Sequence, residues 1–445
     1  MSANKDDGIL EVKGDVGHGP LKLYGVNGVM RLDKSILEKH LLFLGAIGTG
    51  KTNAIFQVIR EIMRTMTKDD VIIVFDTKGD YLSEFYNFDR PAFAGKTGNT
   101  RDIGNTRDIV ISNSKAGNYD YARWNVFEDI RFNAPNRLDE RVHEITSTLY
   151  DELLRRSKDP FFPNAAMDVT AAIMIALTRV HPNPTNEELV RFLYEMPAKN
   201  MTNLLEKASR KSDLLGALQY IDVKGPQAQG VLSTIKVMVS GLFNTTFREP
   251  GDFSVRRFVH GKGGRALFIE YDVDVGSVLT PIYRVLFDLA IKEGLSRKRS
   301  SGNVYFVIDE FALLPRLYHI DDGLNFGRSM GLKFIAGTQN VSQMLAAHGK
   351  SRGLSILSAF GSIFAFRVYD KQTRELITDR YGTRRLKIPV THRSAGGTTE
   401  SEQVVTANVI EDRAIAKLKV GDSIVSLPEG PPQLFTFKPF ERLPT

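Results

Sequence analysis

Eight residues near the start of the chain have the pattern of a phosphate-binding loop, and they read Gly45-Ala46-Ile47-Gly48-Thr49-Gly50-Lys51-Thr52. The apolar run Leu41-Leu42-Phe43-Leu44 precedes them, and a helical pattern begins at Asn53. Glycines allow backbone N–H groups to surround a phosphate, Lys51 supplies a point charge for the β- and γ-phosphates, and Thr52 supplies a hydroxyl ligand for Mg²⁺. A chance match in a glycine-rich turn is the alternative, but the strand-loop-helix order is the context in which this motif binds nucleotide. The sequence therefore predicts a site for ATP and Mg²⁺.

A second stretch predicts the carboxylates that such a site needs. The apolar residues 304–308 are followed at once by Asp309 and Glu310, the pattern of a buried parallel strand that ends at a ligand crevice. We expect Asp309 to hold the Mg²⁺ shell and Glu310 to orient or deprotonate the attacking water. A strand that ends in a solvated acidic turn is the alternative.

Two further residues are candidates for catalysis. The mainly apolar, strand-like residues 332–337 lead to Gln339, whose amide could sense the γ-phosphate or the water, with a buried turn amide as the alternative. Arg328 lies eleven residues earlier, where it could neutralise the transition-state charge of a neighbouring subunit's nucleotide. Composition alone does not favour Arg328 over Arg316 or Arg367.

The order of apolar runs predicts an α/β fold with a mainly parallel sheet. A helix from the loop to about Arg64 is followed by a strand over residues 71–75, which forms a βαβ unit. A glycine-rich loop over residues 94–106 and further strands over residues 108–111, 265–271 and 362–368 complete the core pattern.

Helical periodicity replaces this alternation in the middle of the chain, as in residues 142–154, 165–180, 186–194 and 227–242. It predicts an all-helical domain inserted into the α/β core. The domains we expect are a small β segment over 1–39, the first part of the nucleotide-binding domain over 40–126, the all-helical domain over 127–250, and the second part of the nucleotide-binding domain over 251–445.

Composition bounds the class of protein. The 445 residues are 42% hydrophobic and 25% charged, which is enough for two or more domains with proper cores. The apolar runs fall short of the roughly 18 residues of a membrane span, and residues 1–7 lack the apolar core of a signal peptide. We therefore expect a cytoplasmic protein, with peripheral contact at the inner membrane as the alternative. The sequence contains no cysteine, which excludes disulfides, thiolate zinc sites and cysteine nucleophiles.

The net charge favours a polyanionic partner. The formal charge is +7, and residues 366–395 contain eight Lys or Arg against three acids. A solvated face is the alternative for any one of these side chains.

The motifs together resemble those of the type IV coupling proteins, the DNA-pumping ATPases of conjugation and type IV secretion, within the wider family of hexameric DNA translocases. The resemblance covers about residues 9–366, and five ordered motifs are more specific than any one. The residues that carry it are 45–52, Asp309-Glu310, the Asp-x-Lys-Gly-acid motif in 75–80, the Trp-Asn segment 121–127, and 327–332 together with 337–343.

The resemblance implies a RecA-like P-loop ATPase core, ATP and Mg²⁺ as cofactors, and a ring, usually of six subunits, around a DNA-sized channel. It also implies that the all-helical domain meets a relaxase–DNA complex or its accessory proteins, next to a type IV secretion channel. It implies phosphate and Mg²⁺ binding for Lys51 and Thr52, metal binding for Asp309 and catalysis for Glu310. It also implies that Gln339 senses the γ-phosphate or the water, and that Arg328 acts as an arginine finger across a subunit interface.

Family members usually carry N-terminal membrane helices, and this sequence lacks the apolar runs for them, so it is either a membrane-free member or a soluble fragment of a longer protein. Two other functions stay open. One is a chromosome-maintenance translocase of the same superfamily that works with a nuclease on DNA ends. The other is a nucleotide-gated adaptor that recruits protein substrates and hydrolyses ATP slowly as a switch. A free monomer that assembles only on DNA or at the membrane is also compatible with the family.

Overall fold

The computed structural model describes residues 9–90, 108–115, 117–133, 136–221, 225–296, 302–394 and 397–442. The expected loop over residues 94–106 and the stretch 1–7 lie outside these residues. The chain forms two compact units. The first unit contains Met1–Thr65, Phe306–Leu313 and Lys333–Thr445, and the second contains Met66–Tyr305 and Leu314–Leu332.

The described residues form fifteen strands, and the helices alternate with them only in parts of the chain. The strands are β1 (Leu10–Glu11), β2 (Gly14–Gly17), β3 (Leu21–Tyr24), β4 (Gly28–Leu32), β5 (Leu41–Leu44), β6 (Val71–Asp76), β7 (Ile109–Ile111), β8 (Arg265–Glu270), β9 (Val304–Ile308), β10 (Leu332–Thr338), β11 (Ser362–Ala365), β12 (Thr383–Ser394), β13 (Gly397–Asn408), β14 (Asp422–Ser426) and β15 (Gln433–Thr436).

The helices vary from one turn to five or more. They are α1 (Lys34–Leu37), α2 (Lys51–Thr65), α3 (Asp80–Phe85), α4 (Val126–Arg131), α5 (Leu138–Arg156), α6 (Phe161–Val180), α7 (Asn186–Val190), α8 (Ala198–Ala208), α9 (Pro226–Leu242), α10 (Thr245–Arg248), α11 (Val255–Gly261), α12 (Gly276–Gly294), α13 (Ile320–Met330), α14 (Val341–His348), α15 (Lys350–Ser358), α16 (Lys371–Tyr381) and α17 (Asp412–Ala416).

The sheet of the first unit is built around β5. Its strand order there is β1-β15-β14-β11-β5-β10-β9, with β10 and β11 both parallel to β5. All four residues of β5 are fully buried. Phe43 stacks on Phe364 of β11, with ring centroids 4.7 Å apart. A parallel strand buried on both faces has a continuous apolar sequence, which explains the run Leu41–Leu44.

Two smaller sheets also belong to the first unit. One has the order β2-β4-β3 and lies within residues 1–39, where a small β segment is expected. The other is a hairpin in which β12 and β13 pair antiparallel over twelve residues each. The sequence predicts neither this hairpin nor the strands β14 and β15.

The second unit contains three parallel strands in the order β6-β8-β7 and most of the helices. Between residues 127 and 250, the described residues form helices and turns and no strand. The predicted α/β fold with an inserted helical stretch is therefore confirmed, whereas the bounds of the four expected domains stay a prediction.

The ends of the helical stretch are held together by the Trp-Asn segment. Trp124 forms a parallel bridge with Phe253, and the Asn125 N–H donates to the Phe253 carbonyl over 3.0 Å. The Asn125 side chain donates to the Gly251 carbonyl (2.9 Å) and accepts from the Phe127 N–H (3.0 Å), so it also caps the start of α4. The side-chain contacts explain why an asparagine occupies position 125, where the chain enters and leaves the helices.

Helix α6 is the central helix of this stretch. Among the described helices it is the one long and apolar enough to cross a membrane by length and composition, but 67% of its most apolar window is buried inside the protein. A buried core helix passes the same test, so α6 is weak evidence for a membrane span.

Two predicted elements differ from the structure. The strand expected over residues 362–368 ends at Ala365, because the chain then turns to contact the phosphate-binding loop. The helix expected over residues 186–194 is α7 followed by a π-helical turn, Arg191–Glu195. Periodicity does not separate these helix types, because their residues per turn differ too little over five residues.

Candidate functional site

The phosphate-binding loop connects β5 to the first turn of α2. Gly48 and Gly50 have φ angles of +74° and +102°, in the left-handed region that a residue with a Cβ adopts only under strain. A Cβ at Gly50 would also lie 3.1 Å from the Gly421 nitrogen. The loop glycines are thus required by the backbone, and the loop ends at the N-terminus of a fifteen-residue helix, where N–H groups and the helix dipole favour an anion.

Three backbone hydrogen bonds hold this loop from both sides. Gly45 N–H donates to the Thr338 carbonyl (3.2 Å), and Ala46 N–H donates to the Arg367 carbonyl (3.1 Å). The Thr49 carbonyl accepts from Gly421 N–H (3.0 Å). Sequence reasoning did not find the contacts of Arg367 and Gly421, because a backbone hydrogen bond leaves no signal in the identity of the residue that makes it.

Asp309 lies directly against the loop. Lys51 Nζ is 3.0 Å from the Asp309 carbonyl oxygen and 3.1 Å from Oδ1, and Thr52 Oγ1 donates to Oδ2 over 3.0 Å. Lys51 is 9% exposed and Asp309 is 5% exposed. Close packing requires glycine at position 337, since a Cβ there would lie 2.2 Å from the Asp309 carbonyl oxygen. The structure therefore brings together two motifs that lie more than 250 residues apart in the chain.

Glu310 and Gln339 form a pair beside Asp309. Gln339 Nε2 donates to Glu310 Oε2 over 2.9 Å, while Oε1 is buried and has no hydrogen-bond partner in the described part of the chain. Burial raises the pKa of Glu310, against the opposing effects of the Lys51 charge and the Gln339 hydrogen bond. A carboxylate with one oxygen fixed and the other unsatisfied is suited to accept a proton or a hydrogen bond from water.

Arg328 belongs to the second unit, in the last turn of α13. The helix ends at Gly331, whose φ of +79° and N–H bond to the Arg328 carbonyl form a left-handed C-terminal cap. The Arg328 residue is exposed. The predicted role of Arg328, as an arginine finger across a subunit interface, stays a prediction.

Several side chains of the basic segment, residues 366–395, have partners within the first unit. For the side chains that have such partners, a solvated face is therefore favoured over contact with a polyanion. The pairs are Lys371 with Glu375, Arg374 with Asp412, Lys387 with Glu402, and Arg380 with Ser426 and the Gly361 carbonyl.

The Asp-x-Lys-Gly-acid motif has a structural explanation in the second unit. The Asp76 carboxylate accepts from the N–H groups of Lys78 (3.1 Å), Gly79 (2.9 Å) and Leu82 (2.8 Å). It thereby satisfies one N–H group in the first turn of α3 and two in the turn that precedes this helix. Burial raises the pKa of Asp76, and the three backbone hydrogen bonds oppose this rise.

A sequence-family model connects this geometry with known proteins. The model described as "Type IV secretion-system coupling protein DNA-binding domain" matches residues 24–434. The chain belongs to this family. The match confirms the resemblance to the type IV coupling proteins that the motifs indicate, and it covers nearly the whole chain. No curated protein matches the sequence.

Solved structures with the same fold include several of one coupling protein. The unbound monoclinic form of the bacterial conjugative coupling protein TrwBdeltaN70 has a TM-score of 0.70 and 20% identity, over 95% of this chain and 89% of that chain. TrwB in complex with the ATP analogue ADPNP has a TM-score of 0.70 and 20% identity, over 96% and 92%.

A third match is VirB4 of Thermoanaerobacter pseudethanolicus, with a TM-score of 0.58 and 14% identity over 96% of this chain and 98% of that chain. At these identities the likenesses show the fold alone. The predicted RecA-like P-loop core is confirmed.

Proposed function

We propose that this coupling-protein chain is a DNA-dependent ATPase that connects a relaxase–DNA complex to a type IV secretion channel and pumps DNA through a hexameric ring. The observation that carries the proposal is the convergence of Lys51, Thr52 and Asp309, with the Glu310–Gln339 pair beside them. A phosphate loop needs this arrangement for hydrolysis, whereas nucleotide binding alone does not require a paired carboxylate and amide.

The residues present fit ATP and Mg²⁺. Mg²⁺ prefers oxygen ligands such as carboxylates, hydroxyl groups and phosphates, and the Thr52 hydroxyl and the Asp309 carboxylate lie 3.0 Å apart at the start of α2. When bound, Mg²⁺ neutralises the charge that develops on the β- and γ-phosphate oxygens. Structures of the related TrwB with ADP and Mg²⁺, and with ATP and GTP analogues, support this assignment.

Each side chain has a distinct role in the proposed reaction. Within the loop of residues 45–52, the N–H groups that follow Ala46 bind the phosphates, and the Lys51 ammonium stabilises the negative charge on the transferred group. Glu310 orients the attacking water and accepts its proton, while Gln339 holds the Glu310 carboxylate and senses the γ-phosphate. Arg328 of a neighbouring subunit completes the site across the interface.

Addition of DNA is expected to raise the rate of ATP hydrolysis. The motor grips the phosphate backbone through charge, so binding is tolerant of sequence and sensitive to salt. Between about 50 and 200 mM salt, the apparent DNA affinity falls roughly 3.5-fold for each phosphate contact. The measurement is steady-state ATP hydrolysis as a function of DNA concentration at several salt concentrations, with single- and double-stranded DNA.

Equal turnover with and without DNA, under conditions that permit oligomers, would favour the nucleotide-gated adaptor instead. The Lys51→Ala variant measures the background of contaminating hydrolases in the same assay. Purification together with a nuclease rather than a relaxase would favour the chromosome-maintenance translocase.

The ring and the arginine finger are tested together by mixing two inactive variants. Each interface needs Lys51 from the subunit that binds the nucleotide and Arg328 from its neighbour. An Arg328→Ala subunit still supplies Lys51, and a Lys51→Ala subunit still supplies Arg328. An interface is therefore complete when the first variant binds the nucleotide and the second is the neighbour. At a one-to-one ratio, random mixing makes about a quarter of the interfaces complete. Hydrolysis by the mixture is expected to exceed that of either variant alone.

Mass measurement with DNA and a non-hydrolysable nucleotide establishes that the mixed subunits have assembled. The absence of any recovery in well-mixed rings would contradict the assignment of Arg328.

The remaining parts of the proposal follow the family. We assign the protein to the cytoplasm, with peripheral contact at the inner membrane. The all-helical domain, residues 127–250, binds the relaxase or its accessory proteins. The ATPase core consists of residues 40–126 and 251–445, preceded by the β segment 1–39.

A further inference from the structure

The sheet order indicates on which side of the loop the nucleoside lies. In the first unit β5 has β10 and then β9 on one side, and β11 on the other. Asp309 and Glu310 directly follow β9, and Gln339 directly follows β10, so the γ-phosphate faces that side. The other end of the nucleotide therefore extends away from these carboxylates, towards the chain that leaves β11.

The chain that leaves β11 is fixed beside the loop. Phe366 N–H donates to the Leu44 carbonyl (2.7 Å), and the Arg367 carbonyl accepts from Ala46 N–H (3.1 Å). A Cβ at Gly45 would lie 2.8 Å from the Phe366 Cβ, which shows how closely the two segments approach. The residue two positions after Arg367 is thus close enough to the loop to contact a nucleotide bound there.

The residue at that position is an exposed aromatic side chain. Tyr369 is 66% exposed, and the Arg367 guanidinium carbon lies 5.7 Å from the centre of its ring. The Tyr369 carbonyl accepts a hydrogen bond from Arg374, which also pairs with Asp412 and so anchors the segment. Arg367 Nε is buried and has no hydrogen-bond partner among the described residues.

An exposed tyrosine ring on a fixed backbone, with a guanidinium close to its ring, is a surface on which an aromatic base can stack. We propose that Tyr369 and Arg367 form the nucleobase platform of this ATPase, and that the platform receives the purine ring of the nucleotide held on residues 45–52. This inference rests on the proposed ATPase function.

Stacking reads the face of the base rather than its hydrogen-bonding edge, so the platform accepts adenine and guanine alike. The related TrwB was solved with both an ATP and a GTP analogue, which supports a base site of low selectivity.

The test compares ligands with and without a base. Equilibrium affinities for ATP, GTP and inorganic tripolyphosphate, each with Mg²⁺, are measured for the wild type, Tyr369→Ala and Tyr369→Phe. Loss of one stacked aromatic is expected to weaken ATP and GTP binding roughly 5- to 150-fold. Tripolyphosphate binding stays unchanged, because it uses the loop alone, and Tyr369→Phe retains the wild-type affinities because the ring remains.

Tyr194→Ala is the matched control. Tyr194 is 43% exposed and has Lys236 Nζ 6.0 Å from its ring centre, so it is also an exposed tyrosine beside a cation, but it belongs to the helical stretch. Its substitution is expected to leave all three affinities at the wild-type values.

Unchanged ATP affinity in Tyr369→Ala would overturn the platform, and so would an equal loss of ATP and tripolyphosphate. Absence of ATP binding by the wild type would instead contradict the proposed ATPase function, so the two failures are distinguishable.

Discussion

Lys51→Ala is expected to lower ATP hydrolysis by about 10³-fold and to weaken nucleotide binding. In the proposed reaction the Lys51 ammonium stabilises the charge on the transferred phosphate, and Lys51 is buried, where electrostatic stabilisation is stronger than in water. The substitution also removes the partner of the Asp309 carboxylate, which is 5% exposed. Loss of one member of a buried ion pair costs about 3 kcal/mol or more. We therefore expect a lower melting temperature in the absence of nucleotide, measured by calorimetry alongside the hydrolysis assay.

Lys371→Ala is the control for this prediction. Lys371 also forms an ion pair, with Glu375 at 3.4 Å, but its side chain is 82% exposed. An exposed pair of this kind contributes little to stability, so neither melting nor hydrolysis should change. Retention of full hydrolysis by Lys51→Ala would place the phosphate site elsewhere in the protein.

Glu310→Gln is expected to lower kcat by about 10³-fold while ATP binding is retained. Glutamine has nearly the same shape, and its amide oxygen still accepts the hydrogen bond from Gln339, but it cannot take a proton from water. The measurement is single-turnover hydrolysis together with equilibrium binding of ATP.

The pH dependence of kcat gives an independent readout of Glu310. Burial raises its pKa above the ordinary value of 4.5, and only the ionised form acts as a base. Activity is therefore present above the raised pKa and is lost as the pH falls through it. The acidic limb of the kcat profile should lie at a higher pH than an ordinary glutamate would produce. In Glu310→Gln this limb should be absent.

The Asp309→Asn variant distinguishes the role of Asp309 from that of Glu310. Its expected defect is in Mg²⁺-dependent nucleotide binding, because Asp309 contacts Thr52 and Lys51 directly. If Glu310→Gln lost ATP binding to the same extent as Asp309→Asn, Glu310 would have a role in binding rather than in catalysis.

Much of the site could be predicted because its residues follow buried parallel strands. Such strands have continuous apolar sequences, as in Leu41–Leu44 and Val304–Ile308, and polar residues at their carboxyl ends meet at one edge of a sheet. The contacts of Asp309 with Lys51 and Thr52 agree with this rule. The same rule predicts no distance, and the Glu310–Gln339 pair became known only from the structure.

Other features of the structure cannot be recognised from the local amino-acid sequence. The hairpin of β12 and β13 lies in a segment that composition marked only as basic, because β-propensity in exposed strands is weak and dependent on context. The support of the loop by Gly421 and Arg367 depends on backbone groups that are more than 300 residues away in the chain. The sequence likewise does not single out Tyr369, whose exposed ring follows the backbone contact of Arg367 with the loop by two residues.

The amino-acid sequence was thus sufficient for the phosphate loop, the acidic pair, the α/β class and the family, since each of these is encoded in short patterns of burial, backbone freedom and charge. The folded chain alone established which groups touch the loop, which basic side chains already have partners, and that the Tyr369 ring is exposed two residues after the backbone contact of Arg367 with the loop. These properties depend on the pairing of distant strands, and strand pairing is set by the packing of the whole unit rather than by any one segment.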